Sequence, residues 1–176
     1  AVKQNPHMSG AFVWSGFDFL GEPVPYQWPS RSSYYGIIDL AGFRKDVYYM
    51  YQSEWTDKPV LHLFPHWNWK LGQTVDVWAY FSQADEVELF LNGKSIGTST
   101  KNDSSLHAMW RLKFVPGQLK AVSRKNGKIV LESSIQTAGD ASRIILRSAQ
   151  SELNSAENEL GFVEITVVDA MGIPVQ

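Results

Sequence analysis

Residues 10–29, GAFVWSGFDFLGEPVPYQWP, hold the side chains best suited to chemistry. Trp14 is followed by Ser15, Asp18 and Glu22, and the aromatics Phe17, Phe19, Tyr26 and Trp28 are threaded among and beyond them. Aromatic faces cover the apolar side of a pyranose ring, and carboxylates accept its hydroxyl protons. The short apolar run Ala11 to Trp14 predicts a strand that opens into this loop, an arrangement able to present a sugar site on a rigid support. Asp18 and Glu22 have two uses open to them: binding hydroxyls, or tying neighbouring loops together through salt bridges. To act as the catalytic pair of a retaining glycosidase they would have to stand roughly 5 Å apart, on opposite sides of the scissile bond.

The elements that must position these residues change character twice along the chain. Residues 1–58 read as strand, long loop, helix. Phe43, Val47, Tyr51 and Trp55 recur every four residues and predict one apolar stripe on a helix that Pro59 cannot continue. One strand and one helix cannot bury themselves, so they read as the last βα unit of a larger α/β structure. Residues 59–138 read as about seven short strands. Val60–Phe64 and Thr74–Phe81 come first, then Val87–Leu91 and Lys94–Thr100 across Asn92-Gly93. Leu106–Val115, Gln118–Arg124 and Lys128–Thr137 follow, the last after Asn126-Gly127. Asn-Gly is a strong two-residue hairpin signal, because both turn positions favour positive φ. Seven strands in so short a span imply an immunoglobulin-like β-sandwich. Residues 139–176 predict two strands, Ile144–Ala149 and Gly161–Asp169, and a turn at Asp169–Gly172. Too few to close a sandwich, they read as the start of a second immunoglobulin-like domain.

Composition excludes some function classes. Of the 176 residues 13% are aromatic, which suits a carbohydrate-handling surface, although sandwich cores use aromatics too. A net charge of −2 gives no reason to expect nucleic acid or an anionic membrane as partner. No run approaches the roughly 18 apolar residues of a membrane span. With no Cys there are no disulfides and no thiolate chemistry, and the four His show no metal-ligand spacing, so neither a metal nor a cofactor is expected.

Several strings, in order, resemble glycoside hydrolase family 2, in its β-galactosidase-like branch from Bacteroidetes. They are Trp14-Ser-Gly-Phe-Asp18, Gly21-Glu22-Pro23 with Pro25-Tyr26, Tyr35-Gly36-Ile37-Ile38-Asp39, Pro65-His66-Trp67-Asn68-Trp69, and Asp85-Glu86-Val87-Glu88-Leu89-Phe90-Leu91-Asn92-Gly93-Lys94. The resemblance implies a mainly β chain: the last βα unit of a TIM barrel (1–58), an immunoglobulin-like sandwich (59–138) and the beginning of another (139–176). It implies a retaining exo-glycosidase that is periplasmic or secreted. It places both catalytic glutamates on earlier barrel strands, upstream of Ala1, and the rest of the barrel with them. Within this chain it implies a sugar-binding role for Trp14, with Asp18 and Glu22 beside it, and a cis Trp14–Ser15 peptide bond. Galactose, glucuronate and mannose enzymes share that architecture, so the sugar itself stays open.

Other residues carry weaker expectations. His66, Trp67 and Trp69 sit in one inter-strand loop. They are expected to pack on the barrel or to reach the leaving-group side of the substrate. Trp78 and Trp110 fall within strands and are expected in the core. A competing reading makes the chain a non-catalytic carbohydrate-binding or adhesion module of tandem immunoglobulin-like domains. The barrel-like segment 10–58, for which such an array has no use, argues against it.

Overall fold

The structure, a computed structural model, describes residues 2–101, 105–154, 156 and 159–176. Its centre is a sandwich of two antiparallel sheets. Three strands, β3 (Val60–Phe64), β4 (Thr74–Ser82) and β7 (Ala108–Lys113), run in the order β3-β4-β7. Facing them are β5 (Glu86–Leu91), β6 (Lys94–Thr100), β8 (Gln118–Lys125) and β9 (Lys128–Gln136), in the order β6-β5-β8-β9. The predicted Asn-Gly hairpins form as expected, with φ of 51° and 79° at Asn92 and Gly93 and of 50° and 74° at Asn126 and Gly127. Period-two alternation sends Val75, Val77, Ala79 and Phe81 of β4 inward, against Val87 and Leu89 of β5 and Leu119 and Ala121 of β8.

Of the two strand tryptophans expected in the core, one is there and one is not. Trp110 lies in this core, and its Nε1 donates to the Gly97 carbonyl at 3.2 Å. Trp78 does not. It has the other phase of β4, so it lies on the outer face and stacks on His107 at 4.1 Å. Burial there pushes the His107 imidazole below its ordinary value.

The first part of the chain differs from its sequence reading in two places. Ala11 to Trp14 is not a strand, because among the described residues nothing pairs with it. The ordered ladder begins one residue later. Ser15 N–H donates to the Tyr35 carbonyl (3.3 Å), Ile37 N–H to Ser15 (3.2 Å), Ile38 N–H to Gly16 (3.1 Å) and Asp18 N–H to Ile38 (2.9 Å), which is a short parallel pairing. A two-residue ribbon continues it, β1 (Phe19–Leu20) antiparallel to β2 (Ser32–Ser33). The helix α1 runs Asp46–Trp55 and begins after Phe43, because the Asp39 carboxylate accepts the amides of Ala41 (2.9 Å) and Phe43 (2.8 Å) and holds that stretch as a turn.

Helix α1 has two working faces. Asp46, Tyr49 and Ser53 turn toward the sandwich: Tyr49 stacks on His62 at 3.8 Å, Asp46 bonds His62 Nε2 at 2.7 Å, and Ser53 is buried. The predicted stripe lies elsewhere, with Val47 and Tyr51 half-buried and Trp55 exposed. This second apolar face fits a helix that closes a barrel on one side and leans on a sandwich on the other. After the sandwich, β10 (Arg143–Ser148) and β11 (Val163–Val168) pair antiparallel as a separate two-stranded sheet.

Candidate functional site

The candidate site stands on the 15–18/35–38 ladder. Gly36 makes the close pairing possible, since a Cβ there would fall 2.1 Å from the Asp18 amide nitrogen. Asp18 is 5% exposed. Its Oδ1 accepts the Gly36 N–H at 2.8 Å and the Lys45 ammonium at 2.7 Å. Lys45 also donates to the Tyr34 carbonyl at 3.0 Å. One carboxylate therefore joins the strand end, the loop before Ile37 and the residue that precedes α1. Of the two uses open to Asp18, the structure shows the tying of neighbouring segments.

Trp14 projects from this frame. It is 72% exposed and touches Phe19 edge-on, at 6.0 Å between ring centroids. Its peptide bond to Ser15 is cis. Glu22 is exposed two residues past the end of β1, where Gly21 and Glu22 both have positive φ (97° and 44°) and turn the chain out into the loop. Trp14 and Asp18 thus share one frame, and Glu22 stands at the mouth of the loop that leaves it. Tyr35 braces that loop: its carbonyl receives the Ser15 amide and its hydroxyl donates to Val24 at 3.1 Å.

The second predicted cluster comes apart. Trp67 is completely buried in the core of the sandwich, with Nε1 donating to the Val115 carbonyl at 3.0 Å and its ring edge-on to Phe114. It neither packs on the barrel segment nor lies open to a ligand, which corrects the loop reading. Trp69 is half-buried, packs against the same core and donates to the His66 carbonyl at 2.9 Å. His66 stacks on Trp69 at 4.6 Å and accepts the Asn68 amide at Nδ1. The loop seals one end of the sandwich, where Thr137 Oγ1 donates to the Trp67 carbonyl at 2.7 Å.

Sequence reasoning missed Lys45 and Tyr35 as braces and His62 as the contact between helix and sandwich. The available signal for Lys45 was a cation between the first two members of the predicted stripe, Phe43 and Val47, which ordinarily reads as a solvated charge. Among the described residues no cluster of three or more His, Asp or Glu could hold a metal, and no helix is long and apolar enough to cross a membrane.

The chain is similar to known proteins over most of its length. Residues 72–131 match a domain of unknown function, DUF4982. The chain is 57% identical to the β-galactosidase BoGH2A of Bacteroides ovatus over 97% of its own length. The chain belongs to glycoside hydrolase family 2. It spans only 20% of the length of that Bacteroides ovatus relative. The fold agrees as well. A β-glycosidase from Bacteroides vulgatus superposes with a TM-score of 0.81 at 38% identity, covering 90% of this chain and 20% of that one. A glycoside hydrolase family 2 member from Bacteroides cellulosilyticus gives 0.83 at 28% identity, with 92% and 26% covered. Both matches take in the barrel-like unit and the sandwich together, so within family 2 the two are parts of one architecture.

Proposed function

We propose that the complete protein is an exported, retaining exo-β-glycosidase acting on terminal β-galactosides, and that this chain supplies one wall of its sugar site and the sandwich behind it. The observation that carries the reading is Trp14: a large aromatic, 72% exposed, held at the end of a braced ladder rather than on a slack loop. In this reading its ring stacks on the apolar face of the terminal sugar. Glu22, at the loop mouth, reaches the hydroxyls. Asp18 is a positioning residue that keeps the frame rigid through Lys45 and Gly36. The two glutamates that attack the anomeric carbon and protonate the leaving oxygen come from the remainder of the barrel. The galactoside assignment follows the name of the Bacteroides ovatus relative.

The test is Trp14→Ala in the complete protein. Loss of stacking worth ~1.4 kcal/mol in the transition state lowers kcat/KM on a nitrophenyl β-galactoside about tenfold or more. Unchanged kinetics would reduce Trp14 to a packing residue.

A further inference from the structure

Helix α1 is fixed at its start from two sides. On the barrel side the Lys45 amide donates to the Ile37 carbonyl at 3.1 Å, and the Lys45 ammonium holds Asp18 and the Tyr34 carbonyl. On the sandwich side the next residue, Asp46, bonds Nε2 of His62 at 2.7 Å. An ionised carboxylate only accepts, so Nε2 carries the hydrogen. His62 lies between Leu61 and Leu63, which face the core, so alternation along β3 points it outward, to the helix. There Tyr49 stacks on its ring at 3.8 Å, and the Phe64 ring lies near-parallel at 5.4 Å. An apolar ring would fill this place as well. What the imidazole adds is a directed donor to the first turn of α1, where the helix dipole also favours a carboxylate. The far end of the helix has a tie of its own, Glu54 to Lys101 of the sandwich. His62 therefore governs the end that carries Lys45.

We propose that His62 is a positioning residue for the wall of the sugar site: through Asp46 it sets where α1 begins, and so where Lys45 holds Asp18 and the ladder that carries Trp14. The path is short and continuous. One hydrogen bond joins His62 to Asp46, one peptide bond joins Asp46 to Lys45, and one ion pair at 2.7 Å joins Lys45 to Asp18. Asp18 is itself built into the ladder, by its amide to Ile38 and its carboxylate to Gly36, and Ser15 beside Trp14 hangs from the same ladder at Tyr35. The sandwich is then more than a spacer behind the barrel, since β3 is one of the two supports of the frame. A displacement of about 1 Å at a reacting site can cost on the order of a hundredfold in rate. Losing one support while the Lys45 amide still holds Ile37 costs less. The proposal rests on the reading of Trp14 as the wall for the terminal sugar.

The experiment is a double-mutant cycle in the complete protein, read by kcat/KM on a nitrophenyl β-galactoside and by amide hydrogen exchange. His62→Phe keeps a ring between Tyr49 and Phe64 and removes the donor. Asp46→Ala removes the acceptor from an exposed position, without touching the core. Each lowers kcat/KM about fivefold and speeds exchange at the Lys45 and Asp18 amides about tenfold, while the β4 amides exchange as before. The double variant is no slower than either single one, because both cut the same bond. His62→Gln, whose side-chain amide donates from the place of Nε2, keeps most of the activity. Unchanged rates and unchanged exchange in both single variants would overturn the proposal. So would losses that multiply in the double variant, or a His62→Gln variant as slow as His62→Phe. If the exchange at Lys45 and Asp18 accelerates in both variants, but neither they nor Trp14→Ala change kcat/KM, the brace stands and the Trp14 reading fails.

Discussion

Trp67 separates a structural tryptophan from a sugar-binding one, and its replacement has a calculable effect. Its side chain is fully buried, edge-on to Phe114 at 5.2 Å, with Nε1 bonded to the Val115 carbonyl. An aromatic side chain of this kind buries about 150–250 Å². At ~25 cal/mol per Å² that is about 4–6 kcal/mol, an upper figure because the unfolded chain is already partly compact. Measured Trp→Ala and Phe→Ala truncations cost about 3–5 kcal/mol. Val115 is partly exposed, so its carbonyl reaches water when the indole is gone and adds little. Trp67→Ala should therefore cost about 4 kcal/mol, a large share of the 5–15 kcal/mol typical of a domain. With an m-value of about 2 kcal/mol/M, the urea midpoint of the sandwich followed by far-UV circular dichroism falls by about 2 M. Trp67→Phe keeps most of the ring and loses one hydrogen bond, for about 1 kcal/mol beyond the small loss of area. A midpoint shift below about 0.5 M for Trp67→Ala, at unchanged m, would show that Trp67 is not the core residue described.

Lys45→Met leaves the Asp18 carboxylate buried with the Gly36 amide as its remaining donor. We expect a loss of about 1–3 kcal/mol, less than for a fully buried pair because the Lys45 ammonium is in part solvated; faster hydrogen exchange at the Ser15 and Asp18 amides reads it out. Asp169 accepts the amides of Gly139, Ile173 and Met171, and these bonds hold its carboxyl below the usual carboxylate range. A depressed folded pKa gives stability that is complete above the unfolded value of ~3.9 and is lost as pH falls through the folded one. Amide exchange at Gly139 and Ile173 should accelerate only in that acid range, and Asp169→Asn should abolish the pH dependence. Limited proteolysis should cut within residues 1–58, where Phe12, Leu20, Trp28 and Trp55 are exposed, before it cuts the sandwich; early loss of the 59–137 segment would contradict this.

The sandwich was legible because its signals are local. Two Asn-Gly turns and the alternation of β4 set strand positions to within a residue or two, and the core followed from them. What stayed hidden depends on partners far away in sequence. Ala11 to Trp14 has strand composition, but a strand exists only where a neighbour completes its ladder. Trp67 reads as a loop residue, yet Thr137 and Val115, about seventy and fifty positions away, draw it into the core. Trp78 was misassigned because a helix covers part of the outer sheet face, so aromatic residues suit both faces of β4. The Asp18–Lys45 pair spans 27 positions, and no pattern in the sequence announces it. The aromatic and acidic residues around Trp14 were visible at once. Their division into an exposed ring and a buried brace was not.

The central claim is that Trp14 forms the wall of a sugar site shared with the rest of a family 2 barrel. The most direct measurement is a crystal structure of the complete protein with a galactose-type inhibitor bound. The account predicts the Trp14 ring in van der Waals contact with the apolar face of the sugar, with Asp18 still bonded to Lys45 and Gly36 beneath it. A sugar bound elsewhere, with Trp14 covered by protein and out of contact with it, would contradict the account.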